Sequence, residues 1–135
     1  MGKSDLDVIR DHYAATNERD FARAMSHYAE DVVLTVSEEL AFAYTGTFRG
    51  KEAVGEFFGD WFRSFDSGLY FEITELTELE DGSILLVADV HVRGRASGIE
   101  LTQAVIWAYR VRDGRIVGVE GFETPDAARE AAAAR

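Results

Sequence analysis

The chain has 135 residues, of which 47% are hydrophobic, and its formal net charge is −11. This length and apolar content suit one compact domain over residues 1–135, and the acidic balance argues against nucleic acid or an anionic membrane as a partner. No apolar run reaches the roughly 18 residues of a transmembrane helix, so no membrane partner is expected. Without cysteine the chain offers no thiolate nucleophile or ligand, and a cytoplasmic location is expected.

The beginning of the chain predicts two helices and a strand. Apolar side chains recur at helical spacing over residues 5–17. Asp20 has a side chain suited to cap a second helix over residues 21–28. The β-branched run 31–36 then predicts a strand, and residues 37–50 are interpreted as a long connection.

A third helix carries the strongest apolar stripe in the chain. The stripe consists of Val54, Phe57, Phe58, Trp61, Phe62 and Phe65. Gly55 and Gly59 lie within this helix, although glycine lowers helix stability. We expect these glycines to let another backbone or a ligand come close.

After the third helix the apolar spacing changes to the alternation of strands. The turn motifs EDGS, ASG and RDGR predict four sequential antiparallel strands, over residues 69–80, 83–95, 99–112 and 115–123. A slip in the alternation near Thr74 predicts a β-bulge. Thr124 and Pro125 are suited to begin a short C-terminal helix.

This order of elements predicts an α+β fold, with three N-terminal helices packed on a curved antiparallel sheet and a short C-terminal helix. The strand over 99–112 is apolar on both faces, which is unusual for a sheet with one face in water. Val105, Trp107 and Tyr109 share one of these faces. Because the helices can cover only one face, we expect a second copy of the chain to cover the other and to form a homodimer.

Three segments resemble the nuclear-transport-factor-2-like superfamily, and within it the SnoaL-like proteins, which share the ketosteroid-isomerase-like fold. They are HYAATNERDFARAMSHYAEDVVLTV, YTGTFRGKEAVGEFF and RGRASGIELTQAVIWAYRVRDGRIVGVEGFETPDAAREA. The resemblance implies that the helices and the concave sheet face enclose a conical apolar pocket, and that the convex face forms a dimer. It implies no single activity, because the fold hosts isomerases, dehydratases, cyclases, epoxide hydrolases and non-enzymatic binders.

The catalytic residues of ketosteroid-isomerase-like members are replaced in this chain. The position of their general-base Asp corresponds to Val36, and that of their protonated Asp corresponds to Trp107. A first-helix Tyr donor aligns with His12 or Tyr13, and a third-helix Tyr with Phe58. The resemblance therefore does not support isomerase chemistry, and the acid–base Asp of SnoaL-type cyclases would also fall near Trp107.

The candidate site combines aromatic walls with few polar anchors, as pockets for apolar ligands do. The residues expected to bind ligand are Tyr13, Tyr44, Phe58, Trp61, Gln103, Val105 and Trp107. Gln103 would be a neutral hydrogen-bonding anchor, and Tyr44 would close the pocket. His12 beside the apolar stripe of the first helix and Glu123 at the end of the last strand are candidates for acid–base catalysis. For each residue, an ordinary core or surface position is the alternative.

The sequence predicts neither a metal nor a cofactor. His12, His27 and His91 show no metal-ligand spacing, and no glycine-rich phosphate loop or nucleophile elbow is present. Two functions stay open. One is an enzyme, or the remnant of one, with acid–base chemistry on a hydrophobic and polycyclic small molecule. The other is a non-catalytic ligand-binding or dimerisation module.

Asp89, His91 and Arg93 alternate with valines and therefore share one face of their strand. A two-residue turn at 97–98 would place His91 opposite Ala104 and all three side chains on the convex face. A turn one residue longer would reverse the faces and bring His91 into the pocket. We expect the convex placement.

Overall fold

A computed structural model of the chain describes residues 4–36, 46–63, 70–93 and 100–134. The elements in chain order are α1 (Asp5–Asn17), α2 (Phe21–Ser26), β1 (Tyr28–Val36), β2 (Gly46–Arg49), α3 (Lys51–Arg63), β3 (Tyr70–Glu78), β4 (Ile84–Arg93), β5 (Glu100–Arg112), β6 (Arg115–Phe122) and α4 (Pro125–Ala133). The predicted α+β class is confirmed. In the described part of the chain, no helix is long and apolar enough to cross a membrane.

The strands form one six-stranded sheet in the order β2-β1-β6-β5-β4-β3. Neighbouring strands are antiparallel, except that β1 and β6 are parallel, which corrects the purely antiparallel prediction. Tyr28 pairs with Ile116 of β6, so β1 begins before the predicted 31–36 and α2 ends at Ser26. β2 lies within the predicted long connection, where it pairs with β1.

Several helix ends and turns that the sequence predicts are present in the structure. The Asp20 side chain accepts a hydrogen bond from a backbone N–H at the start of α2, and Thr124 does the same for α4. The β3–β4 register shifts between Ile73 and Glu75, where the bulge is predicted. Asp113 and Gly114 form the β5–β6 turn with positive φ of 54° and 77°, the backbone that a two-residue hairpin needs.

The register of β4 with β5 differs from the prediction by two residues. His91 pairs with Thr102 instead of Ala104, and Asp89 pairs with Ala104. The predicted turn at 97–98 lies outside the described residues. A shift of two residues preserves the face, so Asp89 and His91 lie on the convex face as predicted. The side chain of Arg93 lies outside the described residues.

The concave face of the sheet carries the main hydrophobic core. Ile9 of α1 and Val54 of α3 pack there with Leu86 and Trp107, and all of them are buried. Because α1 and α3 lie on this face, the Trp107 side of β5 is the covered side.

The convex face is covered in part by α4, which corrects the expectation that only a second copy would cover it. Ala128 of α4 packs on Leu85 and Ile106, with Val87 and Phe122 at the edge of the cluster. Sequence alone did not show this contact, because a short helix of alanines has little apolar area of its own.

Gly55 has a structural reason for its place in α3. A Cβ at this position would lie 2.8 Å from the Met25 Cε, which packs against the helix. The group beside this glycine is the side chain of Met25, and not the backbone or ligand expected from the sequence.

Candidate functional site

A continuous row of aromatic rings lies on the helix-covered face of the sheet. The Trp107 ring of β5 meets Phe58 of α3 edge-on, with centroids 6.0 Å apart. Phe58 contacts Trp61, which in turn lies 6.0 Å from the Phe71 ring at the start of β3. Trp107 and Phe71 are buried, whereas Phe58 and Trp61 are only half-buried. The α3 side of the row therefore retains accessible aromatic surface.

The row ends at a buried pair of phenols. Tyr13 of α1 contacts the Phe71 ring at 5.2 Å, and its hydroxyl is hydrogen-bonded to the hydroxyl of Tyr109 on β5. The two side chains are 5% and 1% exposed. Burial raises the pKa of both phenols well above the usual 10, so both are neutral donors at physiological pH.

His12 lies one residue before Tyr13 but faces a different set of groups. Its Nδ1 lies 3.0 Å from the carbonyl oxygen of Ala24, and its Nε2 lies 3.2 Å from the Tyr28 hydroxyl. Burial, and then the nearby His27, lower the pKa of His12 to about 4. A neutral ring beside a carbonyl must donate from Nδ1, so Nε2 accepts the hydrogen of Tyr28.

The predicted ligand residues are brought together in part. Tyr13, Phe58, Trp61, Val105 and Trp107 belong to one hydrophobic cluster. Val36 and Trp107, which the resemblance to ketosteroid isomerases aligns with carboxyl groups, are both buried.

Other predicted site residues lie apart from that cluster. Gln103 is exposed and pairs with Val90 near one end of the sheet. Glu123 is exposed between β6 and the cap of α4. Tyr44 lies outside the described residues.

Sequence reasoning did not assign Tyr109, Tyr28 or Phe71 to the site. Tyr109 had a visible signal, because it shares a strand face with Trp107 and so carries a hydroxyl into the core. Tyr28 and Phe71 had none, since their partners come from α1, far away in sequence.

On the convex face, His91 forms hydrogen bonds with side chains of the two neighbouring strands. The His91 Nε2 lies 3.0 Å from a Glu72 carboxylate oxygen, and Nδ1 lies 3.0 Å from the Thr102 hydroxyl. Tyr70, 52% exposed, lies beside the His91 ring. These groups tie β3, β4 and β5 together at the surface. Within the described ranges, no cluster of His, Asp or Glu has the arrangement of a metal site.

Comparison with known proteins gives a consistent family and fold. A sequence model of the SnoaL-like domain matches residues 9–119. The uncharacterized protein Rv0034 of Mycobacterium tuberculosis is 29% identical over 127 residues, which are 94% of this chain and 94% of that protein.

Two solved structures have the same fold. An NTF2-like protein of Burkholderia thailandensis superposes with a TM-score of 0.74 at 25% identity, over 90% of this chain and 91% of that chain. Rv0760c of Mycobacterium tuberculosis, solved in complex with estradiol-17β-hemisuccinate, gives a TM-score of 0.72 at 21% identity, over 90% and 94% of the two chains.

Proposed function

Because this chain belongs to the SnoaL-like domain family, we propose that it binds a hydrophobic, flat small molecule on the helix-covered face of its sheet. The observation that carries the proposal is the aromatic row, in which Phe58 and Trp61 are half-buried beside the buried Trp107. Partly exposed aromatic rings next to an apolar core offer contact area to a polycyclic ligand. The complex of Rv0760c with estradiol-17β-hemisuccinate supports this class of ligand.

The phenol pair supplies the polar anchor of the proposed site. Each of the two hydroxyl groups has one hydrogen to donate. The hydrogen bond between Tyr13 and Tyr109 takes up one of these two hydrogens. Among the described residues neither hydroxyl has a further hydrogen-bond acceptor. Since buried donors normally have an acceptor, the remaining hydrogen favours a ligand with an oxygen acceptor such as a ketone. Gln103 is proposed as a second anchor at the outer end.

Binding without acid–base turnover is the function that this geometry supports best. Both ring nitrogens of His12 already have partners, Ala24 and Tyr28. A catalytic His12 would first have to release one of them. Glu123 is exposed to water, and Val36 and Trp107 stand where related isomerases carry their carboxyl groups. The non-catalytic alternative is therefore the one we propose.

Two matched ligands test the proposal. Fluorene and 9-fluorenone have the same flat ring system, but fluorene has a CH₂ group where 9-fluorenone has a carbonyl. Titration of each ligand, followed by tryptophan fluorescence, is expected to show saturable binding because Trp61 and Trp107 flank the site. Phe58→Ala is expected to weaken both ligands by about tenfold, since an aromatic contact of roughly 1.4 kcal/mol is lost.

The controls separate the apolar wall from the polar anchor. Phe21→Ala removes a ring that is 45% exposed on α2, and it is expected to leave both affinities unchanged. The double variant Tyr13→Phe with Tyr109→Phe is expected to reduce the preference for the ketone by about tenfold and to leave fluorene binding intact. Absence of saturable binding of either ligand to the wild type would contradict the proposed function.

A homodimer through the part of the convex face that α4 leaves open is the second part of the proposal. Val33, Ala108 and Val117 contribute to a groove of about 210 Å³ there. Arg110 and Glu120 line the same groove, so a twofold axis can set the arginine of one copy against the glutamate of the other. Light scattering at micromolar concentration is expected to give the dimer mass, and Val117→Arg the monomer mass. A monomer mass for the wild type would contradict this part.

A further inference from the structure

Asn17, the last residue of α1, makes an unusual contact with the edge of the sheet. In the sheet that the described residues form, β3 is an edge strand, and one side of its backbone has no neighbouring strand there. The Asn17 side-chain nitrogen donates to the Phe71 carbonyl at 2.9 Å, and its oxygen accepts from the Phe71 N–H at 2.8 Å. One side-chain amide therefore satisfies both backbone groups of Phe71, as the next strand would.

The same helix holds the ring of Phe71. Tyr13 lies one turn before Asn17 on α1, and its ring contacts the Phe71 ring edge-on at 5.2 Å. α1 thus contacts Phe71 twice, through the backbone at Asn17 and through the ring at Tyr13. The Phe71 ring is 4% exposed, and both contacts with α1 restrict its position.

Phe71 connects this double contact to the proposed ligand site. Its ring lies 6.0 Å from Trp61, the half-buried aromatic side chain near the end of α3. Trp61 is half-buried, so fewer side chains restrict its ring than restrict a buried one. The rings of Phe58 and Phe71 are two of those contacts. A displacement of Phe71 would leave Trp61 without one of its neighbours.

We propose that Asn17 is a positioning residue for the ligand, which fixes Phe71 and through it the aromatic wall at Trp61. This inference rests on the proposed binding function. An amide is suited to the position because it has a donor and an acceptor side by side, whereas a carboxylate would face the Phe71 carbonyl without a hydrogen. Asn17 needs no contact with the ligand in order to act in this way.

The first test measures ligand affinity in Asn17→Ala. Loss of the preformed wall is expected to raise the Kd of 9-fluorenone by about two- to tenfold, because binding must then order the side chains that Asn17 holds in the wild type. Thr124→Ala is the matched control, since it removes the cap of α4 on the opposite face. It is expected to lower stability, as Asn17→Ala does, without a change in Kd. Equal effects of the two variants on Kd would overturn the inference.

The second test needs no ligand. In a Trp107→Phe background Trp61 is the sole tryptophan of the chain, which has two. Asn17→Ala is expected to increase acrylamide quenching of Trp61 under native conditions, and Thr124→Ala is expected to leave it unchanged. Unchanged quenching in Asn17→Ala overturns the positioning role even if 9-fluorenone binds. If the wild type binds neither ring system but the quenching rises, the proposed function fails while the positioning of Trp61 by Asn17 stands.

Discussion

The substitution His12→Gln is expected to remove a steep part of the dependence of stability on pH. Burial, reinforced by His27, lowers the pKa of His12 from the ordinary 6.5 to about 4. Between these values the unfolded chain protonates His12 while the folded chain keeps it neutral. Because the unfolded state then binds more protons, the contribution of His12 to the free energy of unfolding decreases as the pH falls through 6.5 towards 4, and it levels off about one pH unit above 6.5.

The magnitude follows from the two pKa values of His12. Between pH 7.5 and pH 4.5 the difference in proton binding corresponds to about 2.5 kcal/mol of unfolding free energy. This is a large fraction of the roughly 5–15 kcal/mol by which natural domains are stable. Below the folded pKa of about 4 both states carry the proton, and the contribution of His12 changes no further.

Urea unfolding of the wild type and His12→Gln, at several pH values from 7.5 to 4.5, measures the effect. Aspartates and glutamates titrate in both proteins, so the informative quantity is the difference between the two proteins at each pH. Tyr28→Phe is the matched control, because it removes the hydrogen bond to Nε2 but leaves His12 buried. Since burial is the largest cause of the low pKa, this variant is expected to retain the pH dependence.

A wild-type minus His12→Gln difference that stays flat from pH 6.5 to pH 4.5 would refute the reasoning. An NMR titration of the His12 ring with a midpoint near the ordinary pKa of 6.5 would refute it as well. Retention of the slope in Tyr28→Phe, by contrast, supports burial as the cause.

Two further predictions concern local packing. Asp81 accepts hydrogen bonds from the backbone N–H and hydroxyl of Ser83 and pairs with Arg110 at 3.0 Å, and its side chain is only 6% exposed. Asp81→Ala is expected to destabilise the fold by about 1–3 kcal/mol in urea unfolding, and an unchanged midpoint would contradict this role. Gly55→Ala gains helix propensity worth roughly 1 kcal/mol, but its Cβ displaces the flexible end of Met25. We expect stability within about 1 kcal/mol of the wild type by thermal unfolding, and a larger loss would show that Met25 cannot move.

The elements that the sequence predicted well are those with local causes. α1, the caps at Asp20 and Thr124 and the bulge after Ile73 all follow from neighbours in the chain. The elements missed depend on distant partners. β2 forms because β1 lies beside it, and β1 begins at Tyr28 because β6 offers it a partner.

The site shows the same division. Alternation along β5 placed Val105 and Trp107 on the core face, and spacing along α3 placed Phe58 and Trp61 together. The sequence left open whether His12 or Tyr13 corresponds to the first-helix tyrosine donor of related isomerases, because the two alignments differ by one residue. The direction of α1 across the sheet decides which of the two faces Tyr109, and this direction is set by contacts such as the one between Asn17 and Phe71.

The parallel pairing of β1 with β6 joins two strands that are synthesised far apart in time. The ribosome releases β1 long before Arg115–Phe122 exists, so one edge of a strand rich in valine is open while the middle of the protein is made. Pairings of such large sequence separation form slowly, and exposed strand edges favour aggregation in the meantime. We therefore expect nascent chains that stop before β6 to depend on chaperones, and chains that contain β6 to be released from them.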